Sequence, residues 1–125
     1  MKLRNLYLLN TVVSLGFALG FLLLSPFLLG LLGMDNTASA RTLAQLIAVE
    51  LIAGGVITLL ARDVTDVQAT SAINTGNFIA GVVGTMVALL ATLSGGMGWF
   101  GYVVTAVYFF LAVAFGYFQF MKRPR

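Results

Sequence analysis

An all-α integral membrane protein, built as a four-helix bundle, is the fold class predicted by three observations on this chain. Hydrophobic residues fill 60% of its 125 positions and charged residues only 9%, against about 25% charged in ordinary soluble domains. Its mean hydropathy of +1.02 is more apolar surface than so short a chain can hide from water, so lipid is the expected solvent. Four apolar segments, at about 5–32, 38–61, 67–93 and 99–121, each exceed the ~20 residues that cross a ~30 Å hydrocarbon core as a helix. The chain therefore reads as a single transmembrane domain over 1–125, with no soluble domain beside it.

The first segment is longer than one crossing needs and contains Ser25-Pro26. Proline removes a backbone donor and disfavours helix in the residue before it, so either a kink or break is expected at Pro26, with Phe27 to Gly33 as a second short piece, or a long helix merely bent there. Before the second segment, Asp35, Asn36 and Thr37 offer N-cap oxygens, and Thr65-Asp66-Val67-Gln68 reads as a capping box opening the third. The run Ser94-Gly95-Gly96-Met97-Gly98 ends that helix ahead of Trp99. Such short connections make sequential neighbours antiparallel. The opening Met-Lys-Leu-Arg and its apolar run outlast the 7–15 residues of a signal h-region, so a retained helix is expected.

Basic residues orient the bundle. Lys2, Arg4, Arg62, Lys122, Arg123 and Arg125 fall on one side and Arg41 on the other, so the positive-inside rule expects cytoplasmic N- and C-termini in a multi-pass protein of the cell inner (plasma) membrane. Trp99, Phe100 and Tyr102 then mark the outer interface, and Tyr7, Tyr117 and Phe118 the inner one. A net charge of +3 could suggest nucleic acid, but the basic residues flank apolar segments and form no soluble patch. Membrane lipid is the expected partner instead.

Chemistry is restricted by absences. Without cysteine there is no thiol nucleophile or thiolate metal site, and without histidine the commonest general base, metal ligand and haem ligand are gone. The expectation is a non-enzymatic protein without cofactors.

Against that background Glu50 stands out, near the middle of the apolar run from Leu43 to Ala61. A charged group at the centre of a bilayer costs about 2.5–3.5 kcal/mol even on lenient scales and so marks a candidate functional residue. Glu50 lies eleven residues from Ala61, and Asn77 eleven from Asp66, so both sit roughly 16 Å from the loop that joins their helices, which makes them natural partners. Asn74 shares a face with Asn77, while Tyr7, Asn10 and Ser14 form a polar stripe in the first segment, and Thr105 and Tyr108 reach a comparable depth in the fourth. The candidate ligand-binding set is thus Glu50, Asn77, Asn74, Tyr108, Ser14 and Asn10. With no basic residue at that depth, the Glu50 carboxyl is expected to stay protonated at neutral pH, hydrogen-bonded to these neighbours. Isolated polar residues such as Asn74 and Ser14 more often only bond across a helix interface.

Small residues supply packing faces. Ala72, Gly76, Ala80, Gly84, Ala88 and Thr92 recur every fourth position, Gly16 and Gly20 repeat the spacing in the first segment, and Ala112 and Gly116 in the fourth. They suit either the internal bundle or a homo-oligomer. Ala53 and Gly54 flank Glu50, which suggests that it points into packed protein. The loop cluster Arg62, Asp63 and Asp66 reads as a solvated turn.

In size, in its four short-looped spans, in the Gly-Leu-Leu-Gly-Met-Asp turn at Gly30 to Asp35 and in the Leu60-Ala61-Arg62-Asp63 turn, the chain resembles small four-helix bacterial inner-membrane proteins, DoxX-like in layout. The resemblance implies a bacterial membrane protein of the same architecture. Small multidrug transporters also have four helices and one embedded glutamate, but here the glutamate is in the second helix, and the basic asymmetry favours one orientation. Two roles follow: a structural or accessory subunit, or a carrier for a small cation or amphipathic ligand with Glu50 as its titratable site.

Overall fold

A computed structural model describes residues 2–121, and all regular structure among them is helical. The elements are α1 (Leu3–Leu23), α2 (Ser25–Leu31), α3 (Ala38–Ala61), α4 (Val67–Leu93) and α5 (Phe100–Gly116), the last continuing into a π-helical turn, Tyr117–Met121. Four helices, α1, α3, α4 and α5 with its π turn, are long and apolar enough to cross a membrane. Lys122, Arg123 and Arg125, which contribute to the expected orientation, lie outside the described residues.

Of the alternatives at Pro26, the first run has the break. Helical geometry stops at Leu24 (φ −124°, ψ 35°), and Pro26 sits in the first turn of α2. A missing backbone N–H is harmless there, because first-turn donors have no helical partner. α3 opens under a Thr37 cap, with the Ala40 amide donating to Thr37 Oγ1 at 3.1 Å. α4 is capped by Asp66, not by Thr65 as the capping-box reading has it: the Ala69 amide donates to Asp66 Oδ1 at 2.7 Å. A carboxylate accepts more strongly than a hydroxyl and suits a helix N-terminus, so it takes the position.

The helices associate as two hairpins, α1 against α3 and α4 against α5, with α2 resting on α3. Glycines set how closely each pair approaches. A Cβ on Gly55 of α3 would meet the Leu15 side chain of α1 at 2.9 Å. On α4 a Cβ at Gly81 would meet the Ala112 backbone at 2.9 Å, and at Gly84 the Tyr108 ring at 2.5 Å, while one on Gly101 of α5 would collide with Thr92. The six-residue stripe on α4 is therefore only half an internal contact. Gly84, Ala88 and Thr92 turn inwards, whereas Ala72, Gly76 and Ala80 are exposed. A four-residue step overshoots a full turn by about 40°, so the stripe winds off the contact line. That line instead runs through Asn74, Gly81 and Ala88, all buried and seven residues apart.

The hairpins meet through α1. Tyr7 packs against Phe115 and Phe17 against Phe100, with ring centroids 6.0 and 6.5 Å apart. At one end Leu6, Tyr7, Ala61, Phe115 and Phe118 form a buried apolar plug, with Ile73 packed on it. At the other, the Gly98 amide donates to the Leu32 carbonyl at 2.6 Å, a close approach eased by Gly33 (φ +70°). Although a short loop joins them, α3 and α4 form no packed joint along their lengths.

Candidate functional site

Polar side chains in the bundle interior are brought together as a belt across α1, α3, α4 and the π turn. The Tyr7 hydroxyl donates to Asn74 Oδ1 at 2.8 Å, linking the two hairpins. On the α3 side Asn10 Nδ2 donates to Thr58 Oγ1 at 3.2 Å, and Thr11 Oγ1 lies 2.9 Å from the same oxygen. One consistent proton arrangement has Thr58 accepting from both and donating to the Gly54 or Gly55 carbonyl, each 3.1 Å away. Gln119 Nε2 closes the far side by donating to Ser71 Oγ at 2.8 Å. Tyr7, Asn10, Thr11, Thr58 and Asn74 are all buried, so these bonds replace water that the interior does not supply. Two atoms of the belt have no partner: Asn74 Nδ2 and Gln119 Oε1.

The expected six-residue site is divided by this arrangement. Asn10 and Asn74 join the belt; Ser14 is buried beside it, its Cβ 3.4 Å from where a Cβ on Gly55 would stand. Asn77 is half-buried and donates to its own helix at the Ile73 carbonyl, 2.9 Å away. Tyr108 lies against Gly84, and Thr105 bonds back to the Gly101 carbonyl. Glu50 does not point into packed protein. It is exposed on α3, and among the described residues it has no hydrogen-bond or ion-pair partner. The reason is rotational. The face of α3 that meets α1 runs through Ala44, Ala48, Gly55 and Thr58, and at about 100° per residue Glu50 lies roughly 120° away from it. Ala53 and Gly54 share Glu50's outward sector, and their small size marks a surface with nothing yet upon it.

Thr11, Thr58, Ser71 and Gln119 belong to the belt but not to the expected set. Thr11 and Thr58 carry a legible signal, since threonine readily bonds back to the carbonyl one turn earlier and can then serve a neighbouring helix. Thr11 has one hydroxyl proton and three oxygens in reach of it, the Tyr7 and Gly55 carbonyls at 3.0 Å each and Thr58 Oγ1 at 2.9 Å, so at any one time it serves its own helix or its neighbour. Gln119 has no such signal, because its reach to Ser71 depends on the π turn at the end of α5.

Charged side chains gather at the loop end. Arg4 Nε lies 2.8 Å from Asp63 Oδ1 and Arg62 Nε 3.6 Å from Asp63 Oδ2, with all three side chains at least a third exposed. Pairs of this kind contribute about 0–1 kcal/mol. Their value is in tying the start of α1 to the loop between the hairpins. Compared with known proteins, the chain matches no family, no curated sequence and no solved structure, so the DoxX-like likeness rests on size and layout alone and the chain is described by what it shows, a small protein with four membrane-capable helices.

Proposed function

We infer that this protein is a structural or accessory subunit of the inner membrane that works by lateral association along α3. One observation carries the reading: the interior polar groups are largely paired with one another, whereas Glu50, the ionisable residue near the middle of a membrane-capable helix, faces outwards without a partner. A lipid-facing carboxyl is expensive to keep, and contact with another protein surface removes that expense. The test replaces Glu50 with Leu and with Gln and follows accumulation and complex size in native membranes. Loss of the complex with Leu and retention with Gln is the expected result. Equal complex size for all three proteins would overturn the reading.

The sparse contact between α3 and α4 favours a second reading, a carrier that admits a small cation or an amphipathic ligand beside Glu50. On that reading Glu50→Gln abolishes pH-dependent flux in vesicles while leaving assembly intact. The accessory role is preferred because Asn77 and Tyr108 bond and pack within their own hairpin rather than towards Glu50.

A further inference from the structure

Positive charge is left over at one end of the bundle. Arg4, in the first turn of α1, and Arg62, which follows the last residue of α3, both approach Asp63, at 2.8 Å to Oδ1 and 3.6 Å to Oδ2. Among the described residues no other acid pairs with either arginine, so one carboxylate answers two guanidinium groups. The remaining charges at this end are Lys2, at the N-cap of α1, and Asp66, which caps α4, and they offset one another.

The arginines also keep donors. Arg4 meets Asp63 through Nε, which leaves both Nη groups, the end of the fork that fits a pair of phosphate oxygens. Arg62 uses Nη1 on the Leu59 carbonyl at 2.6 Å, where a cation suits a helix C-terminus, and keeps Nη2. Sharing one carboxylate holds these two like charges side by side, and both side chains are at least a third exposed. Their depth narrows the ligand further. Arg4 opens one membrane-capable helix and Arg62 ends another, so both lie where lipid headgroups lie. Leu60, Val64 and Val67, around the same turn, are exposed and put apolar surface next to the cations. A soluble anion has no use for that surface, whereas an acyl chain does.

We propose that Arg4 and Arg62, held together by Asp63, bind the phosphodiester of an anionic glycerophospholipid of the phosphatidylglycerol class, with its chains against Leu60, Val64 and Val67. One monoanion answers the one charge left over. A zwitterionic lipid carries its own ammonium group and leaves that charge unmet. The Nη fork of Arg4 and Nη2 of Arg62 donate to the phosphate oxygens, while Asp63 keeps its place between the two Nε atoms. Bound there, the lipid adds to the Arg4–Asp63 pair in fastening the start of α1 to the loop between the hairpins. Glu50 has no part in this site, which stands or falls separately from lateral association along α3.

Native mass spectrometry of the full-length protein, titrated in detergent with phosphatidylglycerol or with phosphatidylcholine of the same chains, counts bound lipids and gives the Kd of the first. The expected result is tighter binding of phosphatidylglycerol. Arg4→Gln and Arg62→Gln should each weaken it roughly fivefold, the effect of one basic residue near a membrane surface. Arg41→Gln removes the same charge from the other end of the bundle and should leave the Kd unchanged. Equal affinity for the two lipids in the parent protein would overturn the site. An equal loss with Arg41→Gln would overturn it as well, by showing that net charge suffices without the paired guanidinium groups. Chain-free glycerophosphoglycerol should not compete; displacement of the lipid by that headgroup at equal concentration would overturn a lipid as the ligand.

Discussion

Asn74 is wholly buried, its oxygen taken by Tyr7 and its amide nitrogen left without an acceptor. Removing the tyrosine hydroxyl leaves both polar atoms of Asn74 unpaired, which is worse than removing both partners together. Tyr7→Phe is therefore expected to lower stability by about 1–2 kcal/mol, and adding Asn74→Leu to recover part of the loss. Unfolding in mixed micelles as a double-mutant cycle measures this; strict additivity would mean that the bond does not couple the hairpins. At this scale the sequence is uneven as a guide. Position along a helix is legible from counting, so the depth of Glu50 could be read. Its direction could not, because small neighbours such as Ala53 and Gly54 look the same whether they face α1 or an empty flank.

Between helices, α4 offers a contrast between two glycines five residues apart. Gly81 stands against the Ala112 backbone, which cannot swing aside, whereas Gly76 has nothing near it. Gly81→Ala should destabilise the chain by about 1–3 kcal/mol through overpacking, while Gly76→Ala, whose Cβ meets nothing, should stabilise it by about 0.4–1 kcal/mol. Thermal unfolding of the detergent-solubilised chain compares them. Equal losses would place the α4–α5 joint on the wrong face. Boundaries were the readable part of these elements: α3 and α4 span the residues that hydropathy implies, although the cap of α4 is Asp66 rather than Thr65. The fourth-residue stripe divides between the inside and the outside of the hairpin because of a drift of about 40° per step, which a written sequence does not display. Proline marked the neighbourhood of the break after α1, because in a continuous helix Pro26 would have no N–H for the Leu22 carbonyl and its ring would clash there, so the helix ended at Leu23.

At the scale of the molecule, the hairpins are units in their own right, each with its own glycine-set joint, linked by the loop around Arg62 and Asp63. Co-expressed halves, residues 1–64 and 65–125, should therefore insert and co-purify, as expected when preformed membrane helices associate by packing. Adding Tyr7→Phe should weaken the recovered complex by roughly threefold. Stable insertion of both halves without co-purification would show that the covalent loop, rather than the plug and Tyr7–Asn74 bond, holds the bundle together.

The partition of the belt's hydrogen bonds has a consequence for how the chain is made. Asn10, Thr11 and Thr58 find their partners within the first hairpin, so that half has much of its polarity answered before the second is made. Tyr7 must wait for Asn74, which is synthesised later and delivered by the second hairpin. If the hairpins form in the order of synthesis, the Tyr7 hydroxyl stays unanswered in the first until the second brings Asn74, and that bond joins the two into one protein.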